Sequence, residues 1–145
     1  MLKIRRSRFE QIDHAFYAAC RAVRKKLGEN PRVKIIIDES AYEAPRHFAF
    51  IYDAEADEGL IHVSAQAGRL PFFHLKAILL HEIGHIYDAR YSLFKPENGY
   101  SRDPEIRADQ IIERMTGLKI KYDTRMNLIQ CLGEKDAIPR PYKLR

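Results

Sequence analysis

With 145 residues, 46% of them hydrophobic and 31% charged, the chain has the make-up of one folded domain, and its composition excludes a disordered or collagen-like class. The net charge of +5 is unevenly spread: residues 1–28 hold eight Lys/Arg against two acids, whereas residues 38–58 hold seven acids against Arg46. No apolar run approaches the roughly 18 residues a membrane span needs, and MLKIRRSRFEQ leads into no apolar signal segment. Cys20 and Cys131 belong to no CxxC pair, so the expectation is a cytoplasmic monomer with two buried free thiols and no membrane partner.

Phe9, Ile12, Phe16, Ala19, Cys20, Val23 and Leu27 recur at helical steps and predict an amphipathic helix over about 6–27, ended by Gly28 and the Asn30-Pro31 pair. Its Lys and Arg read first as a solvated face. A basic helix also suits nucleic acid, but no nucleic-acid motif accompanies it, so that partner stays open and unfavoured. VKIIID and HFAFIYD read as strands, AEADEG as an acidic turn, and LIHVS as a third, short strand, with a hairpin around Gly59.

The run LPFFHLKAILLHEIGHIYDARY starts after Gly68, with Pro71 near its first turn, and is helical in period through Leu75, Leu79, Ile83 and Ile86. Ser101 or Asp103 can cap a further helix that begins near Pro104 and runs to about Met115, before Gly117. Residues 123–132 read as one more short helix, and the tail 133–145, with Pro139 and Pro141, as irregular. The element order predicts a single α+β domain over residues 1–145. In it a small, mainly antiparallel three- or four-stranded sheet (32–64) packs against the N-terminal helix (1–28) and the helices of 71–117.

Within the long apolar run stands HEIGH. Residues four apart on a helix lie one above the other, so His81 and His85 project from one face and can hold a divalent ion in adjacent positions. Glu82 points to one side, where it can take the proton of a metal-bound water without ligating the ion. This is the HExxH arrangement. The bland alternative is a core helix that happens to carry these residues. It leaves three polar side chains needing buried partners. Gly84 also costs such a helix about 1 kcal/mol relative to Ala, so it asks for a reason such as close approach of another backbone.

Catalytic zinc usually takes three protein ligands. Glu105 and Asp109 in DPEIRADQ share a face of the following helix, so Glu105 is the expected third ligand. Asp109 is expected to accept the free ring N–H of a ligand histidine. The competing account places Glu105 merely in a first turn, where it complements the helix dipole. His14, His47, His62, His74, Glu97 and Asp103 are weaker candidates, and His74 reads as a partly exposed side chain. A donor for the developing oxyanion is also needed, and Tyr91, Tyr100, Tyr122, His62 and His74 all stay open for it.

HEIGH followed by EIRAD resembles the gluzincin metallopeptidases, over roughly residues 60–117. The short chain and the strand leading into HEIGH are most similar to the minigluzincins and the ImmA/IrrE-type peptidases. The resemblance implies one Zn2+ per chain held by His81, His85 and Glu105, with Glu82 as general base, acting on a peptide or protein substrate. It also implies that LIHVS lies at a sheet edge and pairs with the substrate backbone, so that Ile61, His62 and Val63 flank the cleft. The glycine and third histidine of metzincins are missing after HEIGH. The upstream cysteine ligand of peptide deformylases has no counterpart either. The expected function is a zinc metalloendopeptidase of narrow specificity or kept latent, one device being the tail IPRPYKLR folded across the cleft. The alternative is a metal-binding regulatory or DNA-associated module with little or no peptidase activity.

Overall fold

The computed structural model describes residues 7–38, 49–53, 58–123, 128–132 and 142–143. Among them are three helices, α1 (Arg8–Leu27), α2 (Phe72–Arg90) and α3 (Pro104–Thr116). Six strands accompany them: β1 (Val33–Asp38), β2 (Ala49–Asp53), β3 (Gly59–Ser64), β4 (Lys119–Asp123), β5 (Leu128–Leu132) and β6 (Tyr142–Lys143). The fold is α+β, as the element order predicts.

Ser7 caps α1 by accepting from the Glu10 N–H, and Gly28 closes it in the left-handed conformation. Ile12, Ala15, Ala19 and Val23 form its buried stripe, while Phe9 and Leu27, at the ends of the predicted stripe, remain exposed. A 3-10 turn, Ala65–Arg69, carries the chain from β3 into α2. Unlike α1, α2 is buried nearly all round, with Leu75, Leu79, Leu80, Ile83 and Ile86 fully enclosed. A helix apolar on every side belongs in the middle of a core. Helices α1 and α3 pack against it, and strands β2, β3 and β5 also contact it. Burying each of its large aliphatic side chains contributes about 1.5–3 kcal/mol.

Two expectations about the sheet are corrected. Strand order is β1-β3-β2, with β3 antiparallel to β2 but parallel to β1, in register from Val33↔Gly59 to Asp38↔Ser64. In this sheet the sequence neighbours β2 and β3 pair as a hairpin, whereas β1 and β2 do not pair. That hairpin turns β3 back along the direction of β1, which then joins its free side. The LIHVS strand is therefore central, not an edge. Its backbone is paired on both sides, and Ile61 and Val63 are fully buried core residues. A substrate strand cannot add to β3 at Ile61, His62 and Val63.

The predicted short helix over 123–132 is also replaced. KIKYD and LIQCL pair as antiparallel strands of a second sheet, ordered β4-β5-β6. In segments this short, apolar spacing fits a strand as readily as a helix, and the partner decides. In the tail expected to be irregular, Tyr142–Lys143 forms β6 against β5. Residues 133–141, which hold most of the proposed latency segment, lie outside the described residues.

Candidate metal centre

The site forms where α3 crosses α2. Asp103, not Ser101, caps α3, accepting from the Glu105 N–H at 2.9 Å, and Pro104 opens the first turn. Gly84 sets how closely the helices meet. A Cβ there would clash with the Ala108 carbonyl oxygen and lie 3.0 Å from its carbonyl carbon and 3.2 Å from its Cα. The absent side chain lets the α3 backbone lie directly on α2, one residue before Asp109. The neighbour that Gly84 asks for is the helix that carries the other half of the site.

That approach brings His81, His85 and Glu105 together, with their ligand atoms within 4.8 Å of one another. His81 Nε2 lies 2.7 Å from Glu105 Oε2 and 3.1 Å from His85 Nε2, and His85 Nε2 lies 3.2 Å from Glu105 Oε1. Behind them, His81 Nδ1 meets Asp109 Oδ1 at 2.7 Å. The two rings stand edge to face, 4.6 Å apart. Accessibility rises across the group: the His81 side chain is 6% exposed, His85 15% and Glu105 37%. The open side therefore lies at Glu105 and His85.

Hydrogen placement shows what this arrangement needs. An ionised carboxylate only accepts, so His81 Nδ1 carries the hydrogen it donates to Asp109. The Nε2 of a neutral His81 is then a bare lone pair aimed at Glu105 Oε2, which is repulsive. Without a metal, a proton on Nε2 resolves the 2.7 Å contact. Burial is the largest single influence on His81 and pushes its pKa down. The hydrogen bonds to Asp109 and Glu105, with the charges of Asp109 and Glu82, together outweigh it and hold the pKa up to about 10. The same bonds, from His81 and His85, hold the Glu105 carboxyl well below the usual carboxylate range.

A divalent ion satisfies all three inward-facing atoms at once. Tetrahedral zinc with ligands at about 2.0–2.1 Å separates neighbouring ligand atoms by about 3.3 Å. The observed separations of 3.1, 2.7 and 3.2 Å are within reach of that by small side-chain rotations. Two imidazoles and a carboxylate are also a donor set suited to zinc. The residues fit the ion.

The crossing has a second fastening that sequence reasoning missed. Arg107, on α3 between Glu105 and Asp109, donates from Nε to Asp88 Oδ1 on α2 at 2.8 Å. Its Nη1 donates to the carbonyls of Ser101 and Arg102. The same loop is held by the Ser101 N–H donating to Gln110 Oε1. Asp88 and Arg107 carry no motif, and only their facing places on two helices could have revealed them.

Of the remaining candidates, Glu82 is half-buried beside His81 and is outside the converging group. His74 is buried, not partly exposed as expected, because α2 is enclosed at its start as well as its middle. Tyr91 stacks on Tyr87, and Tyr100 packs edge-on to Phe94 with Arg114 over its ring. His62 faces Phe50 and Ile36 in register across the first sheet. None of these contacts joins Tyr91, Tyr100 or His62 to His81, His85 or Glu105. The Tyr122 side chain and His47 fall outside the described residues. His14 and Glu97 are exposed, and Asp103 is occupied as a cap. Burial pushes the half-buried Cys20 thiol up to about 11, which suits a packing role and not a ligand.

Comparison with protein-family models, with curated proteins and with solved structures finds no match for this chain. No helix among the described residues is long and apolar enough to cross a membrane.

Proposed function

We propose that the chain is a zinc-dependent metallopeptidase of the gluzincin kind, hydrolysing a peptide or protein substrate. One observation carries the reading: His81, His85 and Glu105 converge from two helices with Asp109 fixed behind His81. Zinc, when bound, supplies a Lewis acid that polarises a carbonyl and lowers the pKa of water toward 7. The chain supplies everything else. Asp109 holds the His81 ring in the Nδ1–H tautomer, which turns the Nε2 lone pair toward the ion position. Glu105 adds a negative ligand on the accessible side of the site. Glu82, one residue from the first ligand, is the group that takes a proton from the attacking water and returns it to the leaving amine.

The test compares zinc content and cleavage of a quenched fluorescent peptide library by the wild type and Glu82→Gln. The variant should keep one zinc per chain and lose at least about a hundredfold in rate. Cleavage that survives full removal of zinc would sink the mechanism. Zinc binding by a wild type that cleaves nothing would instead favour the regulatory metal module.

A further inference from the structure

Three exposed basic residues of α1 border a surface groove. Arg21, Lys25 and Lys26 of α1, Lys76 of α2 and Arg114 near the end of α3 line this groove of about 700 Å3. Lys76 is only 7% exposed. Among the described residues, the single acid lining the groove is Glu113, which already faces Lys119 Nζ at 3.8 Å. Among the described residues, Arg21, Lys25 and Lys26 enter no ion pair. Arg21, Lys25 and Lys26 thus stand together with no acid to balance them among the described residues, and an anionic occupant complements their charge.

The rest of the lining narrows the class of anion. Ala18 and Ala22 of α1, with Met115 of α3 and Leu118 just beyond it, add apolar lining to the groove. Among the described residues no aromatic side chain lines it, so they offer no platform on which a nucleobase stacks. Arginine forks at Arg21 and Arg114 match carboxylates in two-point geometry. Glu113 stands eight residues beyond Glu105, about 12 Å along α3, so the groove is separate from the metal ligands.

We propose that this groove binds an acidic, partly apolar segment of a partner protein. Carboxylates pair with Arg21, Lys25 and Arg114, and aliphatic side chains between them rest on Ala18, Ala22 and Met115. The proposal does not depend on peptidase activity.

Fluorescence anisotropy of a labelled peptide alternating Glu and Leu, titrated with the zinc-loaded full chain at low salt, tests it. Saturable binding is expected, and the double variant Arg21→Glu/Lys25→Glu should weaken it at least about tenfold, with zinc content and helical circular dichroism unchanged. If the double reversal unfolds the chain, the neutral single variants Lys25→Gln and Arg114→Gln must each weaken binding in the same direction. Absence of saturable peptide binding, or equal affinity in folded variants, overturns the proposal. So does tighter binding of a duplex DNA or an oligo-dT strand, which would assign the groove to a phosphate backbone.

Discussion

Replacing Gly84 with Ala sets two effects of known sign against each other. Helix propensity alone makes the change favourable by about 1 kcal/mol. The structure makes it unfavourable, because the new Cβ would clash with the Ala108 carbonyl oxygen and sit 3.0 Å from its carbon and 3.2 Å from its Cα. Ordinary carbon–carbon contact needs about 3.5–4.0 Å, so α3 must retreat by roughly 0.5–1 Å. Overpacking of that kind costs about 1–3 kcal/mol, leaving a net loss of about 0–2 kcal/mol in the metal-free protein. The retreat matters more at the metal. Ligand distances tolerate only about 0.2 Å, and the displaced backbone carries both Glu105 and Asp109. Zinc affinity should therefore fall about 10- to 100-fold, comparable to loss of a supporting partner. Urea unfolding of the metal-free protein and zinc titration against a competing chelator measure the two effects separately. A Gly84→Ala protein that is more stable and binds zinc as tightly as the wild type would refute the close-approach argument.

Asp109→Asn should weaken zinc about 10- to 100-fold and, in the metal-free protein, drop the His81 pKa from about 10 toward 6.5, followed by NMR titration of the ring; an unmoved pKa would remove Asp109 from its role. Stability of the metal-free protein should depend on pH in a defined direction. The His81 contribution is complete below pH 6.5 and is lost as pH rises through about 10, whereas the Glu105 contribution is present above pH 4.5 and is lost in acid. Urea midpoints should thus decline on the alkaline side, and a flat profile from pH 6.5 to 10 contradicts the proton-bridged pair. Breaking the Asp88–Arg107 bond by Arg107→Ala should cost about 1.5–3 kcal/mol, since both side chains are mostly buried and the bond is charge-assisted. A double-mutant cycle with Asp88→Asn isolates the pair, and a coupling energy near zero would show that it does not fasten the helices.

Sequence and structure divide the molecule along a physical line. His81, Glu82 and His85 are legible because a helix of fixed period places them relative to one another, whatever surrounds it. Glu105 and Asp109 are legible for the same reason, as a pair on one face of one helix. The helix ends at Gly28 and Gly117 and the α+β class follow from equally local rules. Everything that depends on which element lies beside which was decided by tertiary packing. Strand β3 could be an edge or a centre on its own alternation, and only pairing with both β1 and β2 made it central. Residues 123–132 could be helix or strand until β4 and β6 supplied partners for β5. His74 is enclosed by neighbours distant in sequence, and Arg107 finds Asp88 across a crossing that no local pattern records. Local periodicity thus determined the two halves of the candidate metal centre, and the bare backbone contact at Gly84 and Ala108 decided that they meet.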